Sequence, residues 1–347
     1  MNPPESNTYL PGKLPPGVLS RMLEGLTAGD QRVLVGPRIG EDAAAIDFRK
    51  TALVVASDPV TFAIERIGWY AVCINANDIA VMGAEPRWFF ATLLLPPDKA
   101  ADPLVQSLFD DLKTACEELG IALCGGHTEI TPSVIQPVIS GTMLGECPRE
   151  RLVTSSGARA GDVLILTKAL AIEGTAILAG ECRGDLEGKV PEGTIERAGA
   201  FLKDPGISVI REAAAASKTG LVHAMHDPTE GGLASAAREM ALASRVGMRI
   251  YRESLPVREE TRAICERLKI DPLGLISSGA LLLSCPDRDA DKVLQAIESE
   301  GIDAGVIGEV LPEPDGLTLK EGGESFPFPV FKRDELARYL EGKAGSR

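Results

Sequence analysis

The sequence predicts a two-domain protein of mixed α+β (α/β) class, on three observations. The chain has 347 residues, and at ~150 residues per domain that is about two domains. Strand-like apolar runs and amphipathic helical stretches are mixed in both halves, the pattern of sheets layered with helices. Between the halves runs ECPRERLVTSSGARAGD, residues 146–162, a polar, turn-rich stretch that places a boundary near 146–160. Domains are therefore expected at 1–150 and 151–347.

The elements follow in chain order. Residues 1–13, punctuated by Pro and Gly, are expected to be extended. Leu14, Val18, Leu19, Met22, Leu23 and Leu26 have helical spacing. Ala52–Ala56 reads as a short buried strand running into Ser57-Asp58. A helix over about 65–82 is amphipathic through Ile67, Ala71, Ile74 and Ile79, and Gly83 ends it. Trp88–Leu95 is a strand stopped by Pro96-Pro97. Leu104, Leu108, Leu112, Ala115 and Leu119 make a second amphipathic helix. Asp102, before Pro103, reads as a turn or capping residue. Ile121–Cys124 is a strand opening into Gly125-Gly126-His127-Thr128-Glu129. Val134–Gly145 is a long strand, placed at an edge by Pro137. Beyond the boundary, Asp162–Thr167 is a strand, and helices are expected near 172–179, 194–202, 206–218, 230–244 and 287–300. Strands return at 248–252, 280–285 and 303–309, and the tail 335–347 is expected to be a short helix followed by disorder.

Composition narrows the function. Acids outnumber bases 50 to 36, for a net charge of −14. A field of that sign repels phosphate backbones, and aromatics at 4% give no stacking platform, so no nucleic-acid partner is expected. A phosphate ligand would need local compensation, for which a divalent metal is the usual means. No apolar run approaches the ~20 residues of a membrane span, and MNPPESNTYLPGKLPP has no signal-peptide pattern. A cytoplasmic protein without a membrane partner is expected. The seven cysteines form no CxxC pair and read as reduced, mostly buried small side chains, Cys124 included. No G-x-G-x-x-G, P-loop, H-E-x-x-H or G-x-S-x-G is present.

The chemistry concentrates in four acids beside small residues: Asp42 in GEDAAAI, Asp58 in SDP, Asp78 in NANDIAVMGA and Asp227 in HDPTEGGL. Isolated carboxylates next to glycine or alanine are what an oxygen-ligand Mg²⁺ site needs, and small neighbours let a polyphosphate approach the backbone. Each is also compatible with an ordinary turn or N-cap residue. Asn75 and Asp78 are three apart and share a helix face. His223 and His226 read as strand-end polar residues.

In order, GEDAAAI, SDP, NANDIAVMGA, GGHTE, GARAGDVLILTK and DPTEGGL resemble the signature of the PurM-like (AIR synthase-related) ATP-binding superfamily, over roughly residues 12–312. The nearest parallels are HypE-like and selenophosphate synthetase-like members. The resemblance implies a two-domain fold whose N-terminal sheet pairs with a second subunit into a barrel, giving a homodimer, and whose C-terminal half is an α/β sandwich. It further implies ATP in a cleft between the halves with its phosphates held through Mg²⁺. Matched position by position, Asp42, Asp58, Asp78 and Asp227 take the metal role. Asn75, Gly125, Gly126 and Thr128 take phosphate or metal-water contacts. Lys168 takes a phosphate contact, and Lys13 is a phosphate clamp or a solvated residue. His127 donates to a phosphate oxygen or metal-bound water, or closes the Gly-Gly turn. The sequence departs from the pattern where Glu230 replaces the Arg of D-P-T-R-G-G-L. It also lacks the reactive cysteines that HypE-like members carry at the C-terminus and selenophosphate synthetases carry before the Lys13 element. The implied function is an ATP- and Mg-dependent phosphotransferase or ATP-driven activating enzyme acting on an unidentified acceptor, without a cysteine intermediate. The alternative is a HypE-like nucleotide-binding accessory or maturation protein with no covalent chemistry of its own.

Overall fold

The computed structural model describes residues 13–14, 16–23, 30–61 and 66–344. The extended reading of residues 1–12, the helical role of Leu26 and the disorder expected at 345–347 lie outside them.

The strands of the first half are β1 (Val33–Val35), β2 (Ala44–Phe48), β3 (Thr51–Ala56), β4 (Pro59–Val60), β5 (Glu85–Leu95), β6 (Ala122–Ile130) and β7 (Val138–Pro148). Those of the second are β8 (Asp162–Thr167), β9 (Ala224–His226), β10 (Val246–Tyr251), β11 (Leu282–Pro286), β12 (Ala304–Pro312), β13 (Leu317–Glu321) and β14 (Glu324–Pro327). The helices are α1 (Pro16–Leu23), α2 (Ile67–Val81), α3 (Asp102–Leu119), α4 (Ile172–Glu181), α5 (Arg183–Leu186), α6 (Glu192–Ala200), α7 (Ile210–Lys218), α8 (Gly232–Ser244), α9 (Glu259–Leu268), α10 (Ala290–Glu298) and α11 (Glu335–Ala344). The fold is thus mixed α+β, with one sheet per half.

The first sheet runs β1-β2-β3-β7-β5-β6, with β4 also on β7. Only the β5–β6 pair is parallel, joined across α3. β7 is central, between β3 and β5, and not the edge strand expected from Pro137. That proline precedes the first β7 residue, so its missing N–H removes no ladder bond. Gly125 and Gly126 do not open a loop after Cys124 either. They continue β6, with Gly126 opposite Ala91 and His127 opposite Thr92. Asp102 is the first residue of α3; the cap is Ala101 and no side chain caps the helix.

α2 lies on the β7 face of this sheet and is buried all round, with only Ile74 partly exposed. Its composition explains why: Gly68, Ala71, Cys73, Ala76 and Ala80 leave no bulky solvent face. Among the described residues, no helix covers the opposite face of the sheet. Leu53, Val55, Trp88, Phe90, Leu94 and Leu144 alternate with buried residues and remain partly or wholly exposed, Phe90 at 40%. The second sheet runs β14-β13-β10-β12-β8-β11-β9. Its short edge strand β9 ends at His226, close to α2. Among the described residues, no helix is long and apolar enough to cross a membrane.

Candidate functional site

The four aspartates come from four different places in the fold. Asp42 precedes β2, Asp58 sits between β3 and β4, Asp78 lies inside α2 and Asp227 follows β9.

Asp58 is fixed by its backbone. Its N–H donates to Asn75 Oδ1 at 3.0 Å, and its carbonyl accepts from Asn75 Nδ2 at 3.2 Å and from the Gly141 N–H at 2.9 Å. Asn75 also donates to the Ala71 carbonyl at 2.9 Å. Asn75 therefore positions Asp58 directly. Gly141 makes room for it, since a Cβ there would lie 2.5 Å from Asn75 Nδ2. Two residues on, Asn77 ties α2 to the second half, donating to the Ile207 carbonyl at 2.8 Å and accepting from the Val209 N–H at 2.9 Å.

Asp78 is 4% exposed and Asp227 1%. Among the described residues, Asp78 Oδ2 and both Asp227 oxygens have no hydrogen-bond partner. Burial raises the pKa of Asp78 well above the carboxylate range, and the charges of Asp58 and Asp227 raise it further. Burial, then the charge of Asp42, pushes Asp227 up to about 7, while His226 and Lys13 pull it back. These mutual effects mark one cluster of converging negative charge. Orphaned buried oxygens are costly, and a bound cation reverses that cost by making each carboxylate a ligand. The donor set fits such an ion.

The sequence reading missed several residues that surround the cluster. His226 is 3% exposed, with Nδ1 2.7 Å from Asp42 and Nε2 3.0 Å from Glu239. Burial acts against the imidazolium, but the two carboxylates raise its pKa well above the ordinary value. Ser155 Oγ lies 3.2 Å from Asp42 Oδ2 and 3.1 Å from the Met225 carbonyl oxygen, either of which can accept its proton, so it links the segment before β2 to β9. The one local signal was the histidine immediately before the aspartate of HDPTEGGL. The Asp42 pairing spans 184 residues and leaves no trace in spacing.

Lys13 joins this group. Its Nζ is 3.2 Å from Thr229 Oγ1 and 3.9 Å from Glu239, and its backbone N–H donates to Glu230 Oε1 at 2.9 Å. Glu230, at the position where the resembled motif has Arg, thus anchors the lysine segment. Lys168 is not in the cluster. Its ammonium donates to the Ser208 carbonyl at 2.6 Å and the Gly206 carbonyl at 3.3 Å, and pairs with buried Glu212 at 2.8 Å. Its three donors are thereby engaged, and it grips the same segment that Asn77 holds.

Gly125, Gly126, His127 and Thr128 stand apart, on an edge strand exposed along its whole length. Pro59 pairs with Ser140, Ser140 with Thr92 and Thr92 with His127. His127 is therefore three strand spacings, about 14 Å, from the residue after Asp58. Its ring lies 3.8 Å from Glu129. Gly126 is required by the ladder, because a Cβ there would meet the Ala91 carbonyl oxygen at 1.8 Å. Cys124 beside it is exposed, contrary to the expectation of burial, while the other six cysteines are buried. Among the described residues, no strand lies on the outer side of β6.

The comparisons with known proteins agree with this architecture. Residues 40–147 match the family model described as AIR synthase related protein, N-terminal domain, and residues 159–320 match its C-terminal domain. Carbamoyl dehydratase HypE of Rhodobacter capsulatus is 32% identical over 291 residues, covering 83% of this chain and 82% of that protein. The crystal structure of a HypE–HypF complex superposes with a TM-score of 0.75 at 23% identity, covering 90% of this chain and 99% of that one. Hydrogenase maturation protein HypE in complex with ATP gives a TM-score of 0.70 at 22% identity, covering 91% of each chain. With both halves of the family in order along the sequence, this chain belongs to the AIR synthase related protein family, among its HypE-like members.

Proposed function

We propose that the protein binds ATP with Mg²⁺ and uses it for phosphoryl transfer to, or activation of, an acceptor, working as a homodimer. The observation that carries this reading is the convergence of four carboxylates in which Asp78 and Asp227 keep buried oxygens without partners. A chain of net charge −14 holds no triphosphate on such a surface without cations, and all-carboxylate donors suit Mg²⁺. Asp42, Asp58, Asp78 and Asp227 are the residues that would hold it. When bound, the ion neutralises phosphate charge and polarises the transferring group.

The chain's own residues then position and balance charge, as in phosphoryl transfer generally. Asn75 fixes Asp58. Lys13, anchored by Glu230, brings an ammonium to the rim of the cluster. Gly125, Gly126, His127 and Thr128, about 14 Å along the sheet, present backbone and imidazole donors to the remainder of an extended ligand. Lys168 acts from behind by holding residues 206–208. The bond from the terminal phosphorus to ADP breaks as the bond to an acceptor oxygen forms. ATP in a HypE complex with this fold supports the choice of nucleotide. The uncovered apolar face around Phe90 and Leu144 supports the dimer.

Calorimetric titration with MgATP tests the assignment. Asp58→Asn and Asp78→Asn should each weaken binding at least about a hundredfold, the loss of a charged metal ligand, with circular dichroism unchanged. Unchanged affinity in both variants would contradict it.

A further inference from the structure

One residue of the cluster is not an oxygen donor. Asp42, His226 and Asp227 each present a ligand atom within 4.8 Å of the other two. His226 Nδ1 lies 2.7 Å from an Asp42 carboxylate oxygen, and Asp227 offers two buried oxygens with no partner among the described residues. On the far side of the ring, Nε2 lies 3.0 Å from Glu239 Oε2.

We infer that this corner of the site takes a divalent transition cation through nitrogen as well as oxygen, with His226 Nδ1, Asp42 and Asp227 as ligands and Glu239 orienting the imidazole. The inference rests on reading the acidic cluster as a cation site and goes beyond it in ligand and in metal preference. Three physical points support it. Adjacent ligands at about 2.1 Å from one ion stand about 3 Å apart, so the Asp42–His226 contact already has the length of a coordination edge. A metal-binding histidine characteristically donates its other N–H to a carboxylate, which sets the tautomer and raises the basicity of the ligating nitrogen; Glu239 is placed to do this. An imidazole donor suits Fe²⁺, Ni²⁺ or Zn²⁺, whereas Mg²⁺ prefers oxygen; Mn²⁺, which takes carboxylate oxygens and also accepts imidazole, serves as the paramagnetic probe. On binding, the cation replaces the Nδ1 proton, which passes to solvent, and no other bond changes. The competing arrangement keeps His226 as an imidazolium between Asp42 and Glu239, with any ion held by carboxylates alone.

Pulsed electron paramagnetic resonance on the full chain, loaded with one equivalent of Mn²⁺ and no nucleotide, separates the two. The expected spectrum shows ¹⁴N coupling from a directly bound imidazole, absent in His226→Gln. Glu239→Gln should keep the coupling and weaken Mn²⁺ binding about tenfold. The native protein alone decides the matter, so a variant that fails to fold leaves the test intact. Bound Mn²⁺ without nitrogen coupling would overturn the inference and leave the carboxylate site standing. Failure to bind either Mn²⁺ or Mg²⁺ would overturn both.

Discussion

The carboxylate cluster and strand β6 hold the most distinctive motifs of the sequence, and the fold treats them in opposite ways. At the cluster, residues from both halves of the chain come together: Asp78, Asp227 and His226 are buried, Asp42 and Asp58 are partly buried, and hydrogen bonds fix the backbone of Asp58 and the carboxylate of Asp42. Along β6, nine residues are exposed, one edge of the strand is open, and Leu123 and Ile130 stand 40% and 60% accessible. The cluster's carboxylates are brought together by the packing of one chain, whereas the Gly125–Thr128 strand lies beside exposed apolar side chains. On the proposed function, charge neutralisation would rest on packing within one chain, and the Gly125–Thr128 strand on association with a second copy.

The largest effect is expected from removing association. Phe90→Glu, placed on the uncovered face, should convert a dimer into a monomer by light scattering at micromolar concentration. The cluster should survive this, so metal binding is retained while nucleotide affinity falls about tenfold or more, on the scale of a lost interface contact. A native protein that is already monomeric would remove the basis for the contrast.

A second, smaller effect separates the two regions by stability. Gly126→Ala forces a Cβ to within 1.8 Å of the Ala91 carbonyl oxygen, so β5 and β6 must part. The expected cost is about 1–3 kcal/mol, read as a lowered denaturation midpoint. Metal binding at the cluster should be unaffected, because three strand spacings intervene.

The smallest expected effect concerns a buried acid outside the cation cluster. Glu173 is 3% exposed, and its Oε2 has no hydrogen-bond partner among the described residues. Burial pushes its pKa up to about 7, with Asp334 adding and Ser278 opposing. Its folded pKa lies above the unfolded value, so the fold favours the protonated form. Stability from this group is present below about pH 4.5 and is lost as pH rises towards 7. Glu173→Gln should therefore melt higher than the native protein at pH 8, by roughly 1–3 kcal/mol, with a smaller difference at pH 5. Mg²⁺ should leave that difference unchanged, unlike the stability of the cluster.

Much of this was legible in the residues. The order of the motifs marked Asp42, Asp58, Asp78 and Asp227, which converge in space. Helix α2 was visible from its spacing but read as amphipathic, because Ala, Cys and Gly do not reveal in sequence that a second layer covers their outer side. Gly125-Gly126 read as a turn, since glycine pairs commonly are; here the demand for glycine comes from Ala91, 35 residues away in β5, and no local pattern records it. The short strands β1 and β2 and the β13–β14 hairpin escaped notice because they are brief or only weakly alternating. The resemblance implies a phosphate contact for Lys168, while its partner Glu212 is set by the fold of α7 and leaves no sign in the local sequence. Glu239 was unmarked, because its meaning depends on His226 reaching it across the end of β9.

On the proposed function, the converging carboxylates are a phosphate site only through a cation. Titrating the native protein with ATP by calorimetry, once in Mg²⁺ and once in excess chelator, tests it most directly. Binding should be readily measured with Mg²⁺ and fall by at least about a hundredfold without it, as expected where a divalent ion bridges clustered acids and polyphosphate. Equal affinity in the two solutions would show that the protein holds the phosphates by other means and would contradict the account.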